Sequence, residues 1–201
     1  PAVHIRDYKV ETDLDEEFVD AELKLSIDVR NMSDALADSY GLDVKLFDAS
    51  GKNIFSRNSL RGNVPNMESG EEITVDISRE VKKPHLWSDE DPYLYTLVIS
   101  LYEKESGKLF ESVSQQLGFR EISFTKTNVD LMFNNIETDY QNMTINGKLL
   151  IFRGVNRHDT DGLTGRYVSK EVMQKDIELM KQYNINALRT SHYPNDRYLY
   201  Y

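Results

Sequence analysis

LLIFRGVNRH at residues 149–158 and NALRTSHYPN at residues 186–195 decide how the C-terminal part of this chain folds. The first stretch is an apolar run that turns polar at its C-terminal end, and each stretch ends in a polar cluster that contains one histidine, His158 or His192. A helical pattern separates them, so they predict two parallel strands joined by a right-handed helical crossover. Because such folds place their chemistry at the C-terminal ends of parallel strands, we expect a functional site at these two ends.

The segment between the two strands has the features of one amphipathic helix. Ser169 is the expected N-cap, Glu171 lies in the first turn, and the pattern runs to about Tyr183. Its apolar stripe consists of Met173, Ile177, Leu179 and Met180. A sheet of only two strands is not stable on its own. A whole (β/α)8 barrel takes about 250 residues, so we expect either a small, unusual fold or the beginning of a barrel that is truncated here.

The residues before this unit are typical of an antiparallel sandwich. From Ala21 to Arg30, apolar and polar residues alternate strictly, which is the period of a strand with one buried face. Further strands are predicted near residues 42–46, 73–77, 93–102 and 109–124. No helical period separates them. The predicted fold class is mainly β, with an immunoglobulin-like β-sandwich over residues 1–122 and the start of the barrel over residues 123–201.

Two local features connect these parts. Asn146-Gly147 accepts positive φ and predicts a type I′ hairpin turn between Asn142 and Arg153. The loop from Pro84 to Pro92 contains the only tryptophan, Trp87, and its prolines exclude a regular central strand. We expect this loop to be held by a buried indole, the alternative being an exposed aromatic ring that binds a sugar.

Composition excludes several classes of partner. The net charge is −10, and the basic residues form no stripe, which disfavours nucleic acid and anionic membranes as partners. The absence of cysteine excludes disulfides and thiol catalysis, and it fits a reducing, cytoplasmic location. No apolar run approaches the ~20 residues of a membrane span. Because the strand and helix patterns continue to both termini, we expect the chain to be an excised piece.

The two strand ends carry residues suited to a polyhydroxylated ligand. His158 follows Asn156 and Arg157, while His192 follows Arg189 and Ser191. Neutral imidazole both donates and accepts hydrogen bonds, and arginine supplies directed donors. A purely structural role for both histidines is the alternative. A metal site is not predicted, because His158 and His192 lie too far apart in sequence for a local metal motif.

The order of several short motifs resembles that of the glycoside hydrolase family 2 β-galactosidases. The motifs are Gly118-Phe119-Arg120, Asn146-Gly147-Lys148, Arg153 to His158, Met180-Lys181, and Arg189 to Asn195, preceded by Pro84 to Trp87 and Pro92 to Tyr95. The resemblance implies the family's immunoglobulin-like domain followed by the first part of its catalytic barrel. It departs from the common pattern at Asp159, where family members usually have glutamate.

The resemblance also implies roles for individual residues. His158 and His192 match histidines that contact the galactosyl group around the transition state, Arg189 matches the arginine beside the nucleophile, and Asn156 lies beside them. These four are the predicted substrate-binding residues. No catalytic residue or metal ligand is predicted in this chain, because the family's two catalytic glutamates and its magnesium ligands lie beyond Tyr201.

The function implied is that of a retaining β-galactosidase acting on terminal β-D-galactosides such as lactose, of which this chain is a part that is inactive alone. Magnesium and a monovalent cation are expected only in the full-length enzyme, which we expect to be a homo-oligomer. β-Glucuronidases share the Arg-Thr-Ser-His-Tyr-Pro segment, so a β-glucuronidase or β-mannosidase of the same family is an alternative. A non-catalytic β-sandwich binding or spacer module is another.

Overall fold

The structure, a computed structural model, describes residues 1–55, 59–130 and 137–200, and side chains are described outside 126–130 and 137–140. The chain divides into two compact units, Pro1–Leu149 and Leu150–Tyr201. The predicted domain boundary after residue 122 stays a prediction, since a division into compact units is not a division into domains.

The first unit contains two antiparallel sheets that together provide seven strands. One sheet has the order β1-β2-β5, and the other has the order β4-β3-β6-β7. The strands are β1 (Val3–Leu14), β2 (Ala21–Asn31), β3 (Tyr40–Phe47), β4 (Leu60–Asn63), β5 (Glu72–Val81), β6 (Tyr95–Glu103) and β7 (Leu109–Leu117). This arrangement confirms the predicted sandwich. It differs from a constant-type immunoglobulin domain because the fourth strand pairs with the third and not with the fifth.

One hydrophobic core lies between the two sheets. Strand β2 shows its origin, because every second residue is buried and the intervening residues are partly exposed. The largest fully buried side chains come from both sheets and from Phe119, which follows β7; those in the sheets include Leu23, Leu25, Ile27, Leu42, Leu46, Leu97, Ile99 and Leu101. Strand β6, predicted near residues 93–102, lies between β3 and β7 and buries one face.

Strand β1 was not predicted, and a bulge explains why. The register of β1 against β2 shifts between Ile5 and Asp7. Val3 and Ile5 are buried before the shift, whereas Tyr8 and Val10 pack against the core after it. The inward-facing positions therefore change from odd to even numbers, and no single alternation runs along the strand.

A third antiparallel sheet has the order β10-β9-β8 and ends the first unit. It contains β8 (Ile122–Asp130), β9 (Glu137–Ile145) and β10 (Lys148–Leu149). Asn146 and Gly147 have φ of 49° and 72°, which confirms the predicted hairpin turn with positive φ at both positions. The Asn146 side chain accepts from the Glu121 amide at 2.9 Å and donates to the Trp87 carbonyl at 3.0 Å.

The loop that contains Trp87 is fixed mainly by polar and backbone contacts. The Trp87 amide donates to the Phe119 carbonyl at 2.9 Å, and the Arg120 guanidinium lies over the indole at 4.4 Å from the ring centroid. The indole was predicted to be buried, but it is only half-buried. A close approach of the backbone supports the loop, because a Cβ at Gly118 would lie 2.6 Å from the Trp87 Cβ.

The second unit is the predicted βαβ unit. Strands β11 (Gly154–Asn156) and β12 (Ala187–Arg189) are parallel, and helix α1 (Lys170–Gln182) lies between them in sequence. The strands are shorter than predicted: Ile151 and Phe152 are about 60% exposed and belong to no strand, where a continuous strand from residue 149 was expected. A short 3-10 helix, Arg197–Tyr200, follows. Neither helix in the described part of the chain is long and apolar enough to cross a membrane.

Ser169 is the N-cap of α1, as predicted, and its hydroxyl accepts from the Val172 amide at 3.4 Å. Ser169→Ala leaves this amide without its side-chain acceptor, so we expect a loss of about 0.5–1 kcal/mol in helix stability. Faster amide hydrogen exchange in the first turn of α1 would measure it. Ser169→Asp keeps an acceptor and is the control; equal exchange in both variants would contradict the capping role.

Candidate functional site

His158 and His192 lie next to each other at the ends of the two parallel strands. Their ring centroids are 5.8 Å apart, with the ring planes at 64°. Both side chains are exposed, and neither imidazole has a hydrogen-bond partner among residues 1–55, 59–130 and 137–200. The ring nitrogens are therefore free to donate to or accept from a ligand.

The strand register places the other two predicted residues on a common face. Asn156 pairs with Arg189 across the two strands, and paired residues of parallel strands point to the same side of the sheet. Arg157, the next residue, points to the opposite side, where its guanidinium bonds Asp176 of α1. By the same alternation His158 follows Asn156 on the face away from the helix. The Arg189 guanidinium is exposed and has no ion-pair partner in the described part of the chain.

A buried polar cluster lies behind these side chains. The Arg157 side chain is only 7% exposed, and it forms ion pairs with Asp159 and with Asp176, the latter at 2.9 Å. The Asn195 amide donates to Asp159 at 2.8 Å. The Asp159 backbone amide donates to the Tyr193 hydroxyl at 2.8 Å. We call Arg157, Asp159, Asp176, Tyr193 and Asn195 the strand-end cluster.

Electrostatics keep the central guanidinium charged. Burial alone would lower the pKa of Arg157, but the hydrogen bonds to Asp176 and Asp159 outweigh it, and the pKa is raised. Burying a charged group is costly unless it is paired and hydrogen-bonded, and both carboxylates supply that pairing.

The backbone at the second strand end has an uncommon conformation. His192 has φ of 69°, in the left-handed region that few residues other than glycine adopt. Ser191, just before it, is 2% exposed, and its amide donates to the Arg189 carbonyl at 2.9 Å. The chain therefore turns sharply after β12, and the turn presents the His192 imidazole beside His158.

Asp161 belongs to a small closed loop. Its carboxylate accepts from the Leu163 amide at 2.9 Å and from the Thr164 amide at 3.0 Å. The described residues contain no group of three or more histidine, aspartate or glutamate side chains that could hold a metal ion. The prediction that this chain provides no cofactor ligand stays a prediction.

The Asp161 loop should respond to acid. Hydrogen bonds from the Leu163 amide, the Thr164 amide and the Thr164 hydroxyl lower the pKa of Asp161. The loop should therefore keep these bonds above the ordinary carboxyl pKa of about 3.9 and lose them as the pH falls through the lowered value. NMR shifts of the two amides, followed from pH 7 downward, would measure this. Asp161→Asn removes the titration, and identical titration in both proteins would contradict the assignment.

The arrangement offers groups that can bind a polar ligand, and the two carboxylates described behind it are paired with a guanidinium. The two imidazoles and Arg189 offer donors and acceptors on one rim, whereas the carboxylates of Asp159 and Asp176 are both committed to Arg157. Sequence reasoning identified the histidines and missed the strand-end cluster. The sequence feature that could have indicated the cluster is the Tyr193-Pro194-Asn195 segment. Its Tyr193 hydroxyl and its Asn195 side-chain amide both form hydrogen bonds with Asp159.

Comparison with known families identifies the origin of both units. Residues 3–120 match the family described as "Glycosyl hydrolases family 2", and residues 136–201 match its TIM barrel domain. This chain belongs to glycosyl hydrolase family 2. The order of the two matches is the order expected from the motifs, with the sandwich before the barrel.

Curated family 2 relatives cover nearly the whole chain. It is 38% identical over 201 residues to a β-galactosidase of Priestia megaterium, covering 100% of this chain and 18% of the relative. It is 37% identical over 196 residues to a β-galactosidase of Halalkalibacterium halodurans, covering 98% of this chain and 17% of the relative. The chain thus spans less than one fifth of the length of these relatives.

Solved structures share the family 2 fold. A Bacteroides uniformis β-glucuronidase 2, covalently bound to cyclophellitol-6-carboxylate aziridine, superposes with a TM-score of 0.79 at 24% identity, covering 99% of this chain and 22% of that one. A putative β-galactosidase from Bacteroides fragilis gives a TM-score of 0.75 at 20% identity, covering 96% of this chain and 26% of that one. At this identity the likeness concerns the fold alone.

Proposed function

We propose that the whole protein is a retaining β-galactosidase and that this chain contributes part of its substrate-binding rim. The observation that carries the proposal is the pair of free imidazoles, 5.8 Å apart at adjoining strand ends, in a chain 38% identical to a β-galactosidase. Terminal β-D-galactosides such as lactose are the proposed substrates. The four rim residues are His158, His192, Arg189 and Asn156.

The proposed chemistry separates binding from bond cleavage. In a retaining glycosidase one carboxylic acid protonates the leaving group while a second carboxylate, about 5–5.5 Å away, attacks the sugar. The proposal assigns both to glutamates outside residues 1–201. Within this chain, His158 and His192 would hold sugar hydroxyls through hydrogen bonds that strengthen as the ring approaches its oxocarbenium-like transition state.

A second substrate is favoured by one observation. The exposed Arg189 guanidinium has no ion-pair partner in the described residues, and a guanidinium can bind a carboxylate through two parallel hydrogen bonds. This geometry suits a catalytic carboxylate and the carboxylate of a glucuronide equally. A β-glucuronidase is thus the alternative function. A β-mannosidase of the same family, whose substrate is a neutral sugar, is another.

The experiment is hydrolysis of nitrophenyl β-galactoside, β-glucuronide and β-mannoside by the full-length protein and by residues 1–201 alone. Cleavage of the galactoside by the full-length protein only is the expected result. Preference for the glucuronide or mannoside would overturn the assigned substrate, and cleavage by the isolated chain would overturn the assignment of the glutamates. No cleavage of any glycoside would favour a non-catalytic binding or spacer module.

The surroundings of the enzyme are part of the same proposal. We infer a cytoplasmic, homo-oligomeric enzyme whose partner is the galactoside and neither nucleic acid nor a membrane, in keeping with the net charge of −10. Magnesium and a monovalent cation would be bound by residues outside this chain. Light scattering of the full-length protein, and its activity before and after chelation, test these two points.

A further inference from the structure

We propose that Asp159, Tyr193 and Asn195 are positioning residues that fix the gap between His158 and His192. The inference rests on the proposed function, because the gap matters only if the two imidazoles grip one sugar. These residues touch no substrate in this scheme. They act through the backbone on either side of the two histidines.

The contacts run crosswise between the two strand ends. Asp159 directly follows His158, and its backbone amide donates to the hydroxyl of Tyr193, the residue that directly follows His192. Asn195 donates from its side chain to the Asp159 carboxylate at 2.8 Å. Each histidine is therefore tied, one residue away, to the segment that carries the other histidine.

The imidazoles need this support because no hydrogen bond to their ring nitrogens orients them within the described residues, although the His158 ring lies 6.0 Å from the Tyr193 ring. Both imidazoles are exposed, and neither has a hydrogen-bond partner among residues 1–55, 59–130 and 137–200. His192 also has φ of 69°, a conformation that persists where the surrounding structure enforces it. The tie from Tyr193 to Asp159 supplies that enforcement on the C-terminal side.

Asn195 shows that the cluster is built for this contact. Its side chain is buried, and its Oδ1 has no hydrogen-bond partner in the described part of the chain. Leaving a buried carbonyl unpaired is unfavourable, so the amide orientation is decided by its donation to Asp159. Arg157 completes the arrangement by pairing the same Asp159 carboxylate, and Asp176 of α1 holds the other side of the guanidinium.

The test uses the full-length enzyme with Asp159→Asn and Tyr193→Phe. Misplaced imidazoles should stabilise the transition state less while binding the substrate almost as well. We therefore expect kcat to fall by at least tenfold and up to about 10²-fold. KM should change by less than about threefold. Binding of galactonolactone, which resembles the flattened transition state, should weaken in step with kcat, while binding of galactose should not.

Two further variants separate positioning from folding. Asp159→Glu keeps the carboxylate that pairs with Arg157 and accepts from Asn195, so it should recover most of kcat. Asp161→Asn alters a nearby acid of the same loop region that contacts only its own loop, and it should behave like the wild type. If Asp159→Asn does not fold, the positioning role is tested with Tyr193→Phe, because this variant removes only one hydroxyl.

Wild-type kcat and lactone binding in Tyr193→Phe would overturn the proposal. A crystal structure of Asp159→Asn whose two imidazole centroids remain 5.8 Å apart would also overturn it. If the wild-type enzyme cleaves none of the glycosides, the proposed function fails. The imidazole separation, compared between wild type and variants, then decides the positioning role by itself.

Discussion

Alanine in place of His158 or His192 should lower kcat of the full-length protein on nitrophenyl β-galactoside by about 10²–10³-fold, the usual cost of one preorganised transition-state donor. The expectation follows from the geometry, because each imidazole is exposed at a strand end with its nitrogens free of other partners among the described residues. Removing either one should weaken transition-state binding more than substrate binding. Steady-state kinetics, with kcat and KM determined separately, would measure the effect.

His85 provides the matched control. It is also exposed, but its ring stacks on Tyr93 at 4.1 Å and pairs with Asp91 on a loop of the sandwich. His85→Ala should leave kcat unchanged. A loss of activity in His85→Ala as large as that in His158→Ala would show that the losses report folding and not the site.

Replacing Leu101 with alanine should lower the free energy of unfolding of the sandwich by about 3–4 kcal/mol. Leu101 has no exposed surface, lies on the inner face of β6, and is paired in register with Leu42. The change removes buried methyl groups and leaves a cavity that the two sheets can only partly close. Urea unfolding followed by the fluorescence of Trp87, the only tryptophan and a member of the first unit, would measure it.

Leu109→Ala is the control with the same chemical change. Leu109 is 58% exposed on β7, so its truncation should cost less than about 0.5 kcal/mol. An equal shift of the urea midpoint in the two variants would contradict the assignment of Leu101 to the core.

Much of the fold could be predicted because the local pattern and the tertiary environment agree. The strict alternation from Ala21 to Arg30 gave β2, and Asn146-Gly147 gave the hairpin. The strands that escaped prediction lack such agreement. The bulge between Ile5 and Asp7 breaks the alternation of β1, and β4 is only four residues long with no buried residue.

The site could be predicted only in part, for a physical reason. His158 and His192 were found because the C-terminal ends of parallel strands meet, which follows from strand order alone. The partners of Arg157 depend on which face of α1 packs against the sheet. The local sequence does not specify how the helix is rotated about its axis, so the contact with Asp176 could not be predicted. The predicted meeting of Arg189 with the imidazoles stays a prediction, because the structure shows only that Arg189 is paired in register with Asn156.

The side chain of Asn146 has a practical consequence for anyone who wishes to excise the sandwich. It forms hydrogen bonds with the Glu121 amide and with the Trp87 carbonyl, although it lies 25 residues after Glu121 in the sequence. A recombinant piece that stops at residue 122 would lose both hydrogen bonds. The loop that contains Trp87 would then be exposed to proteases. A piece that runs to residue 149 would keep it, and its yield and resistance to trypsin should be higher.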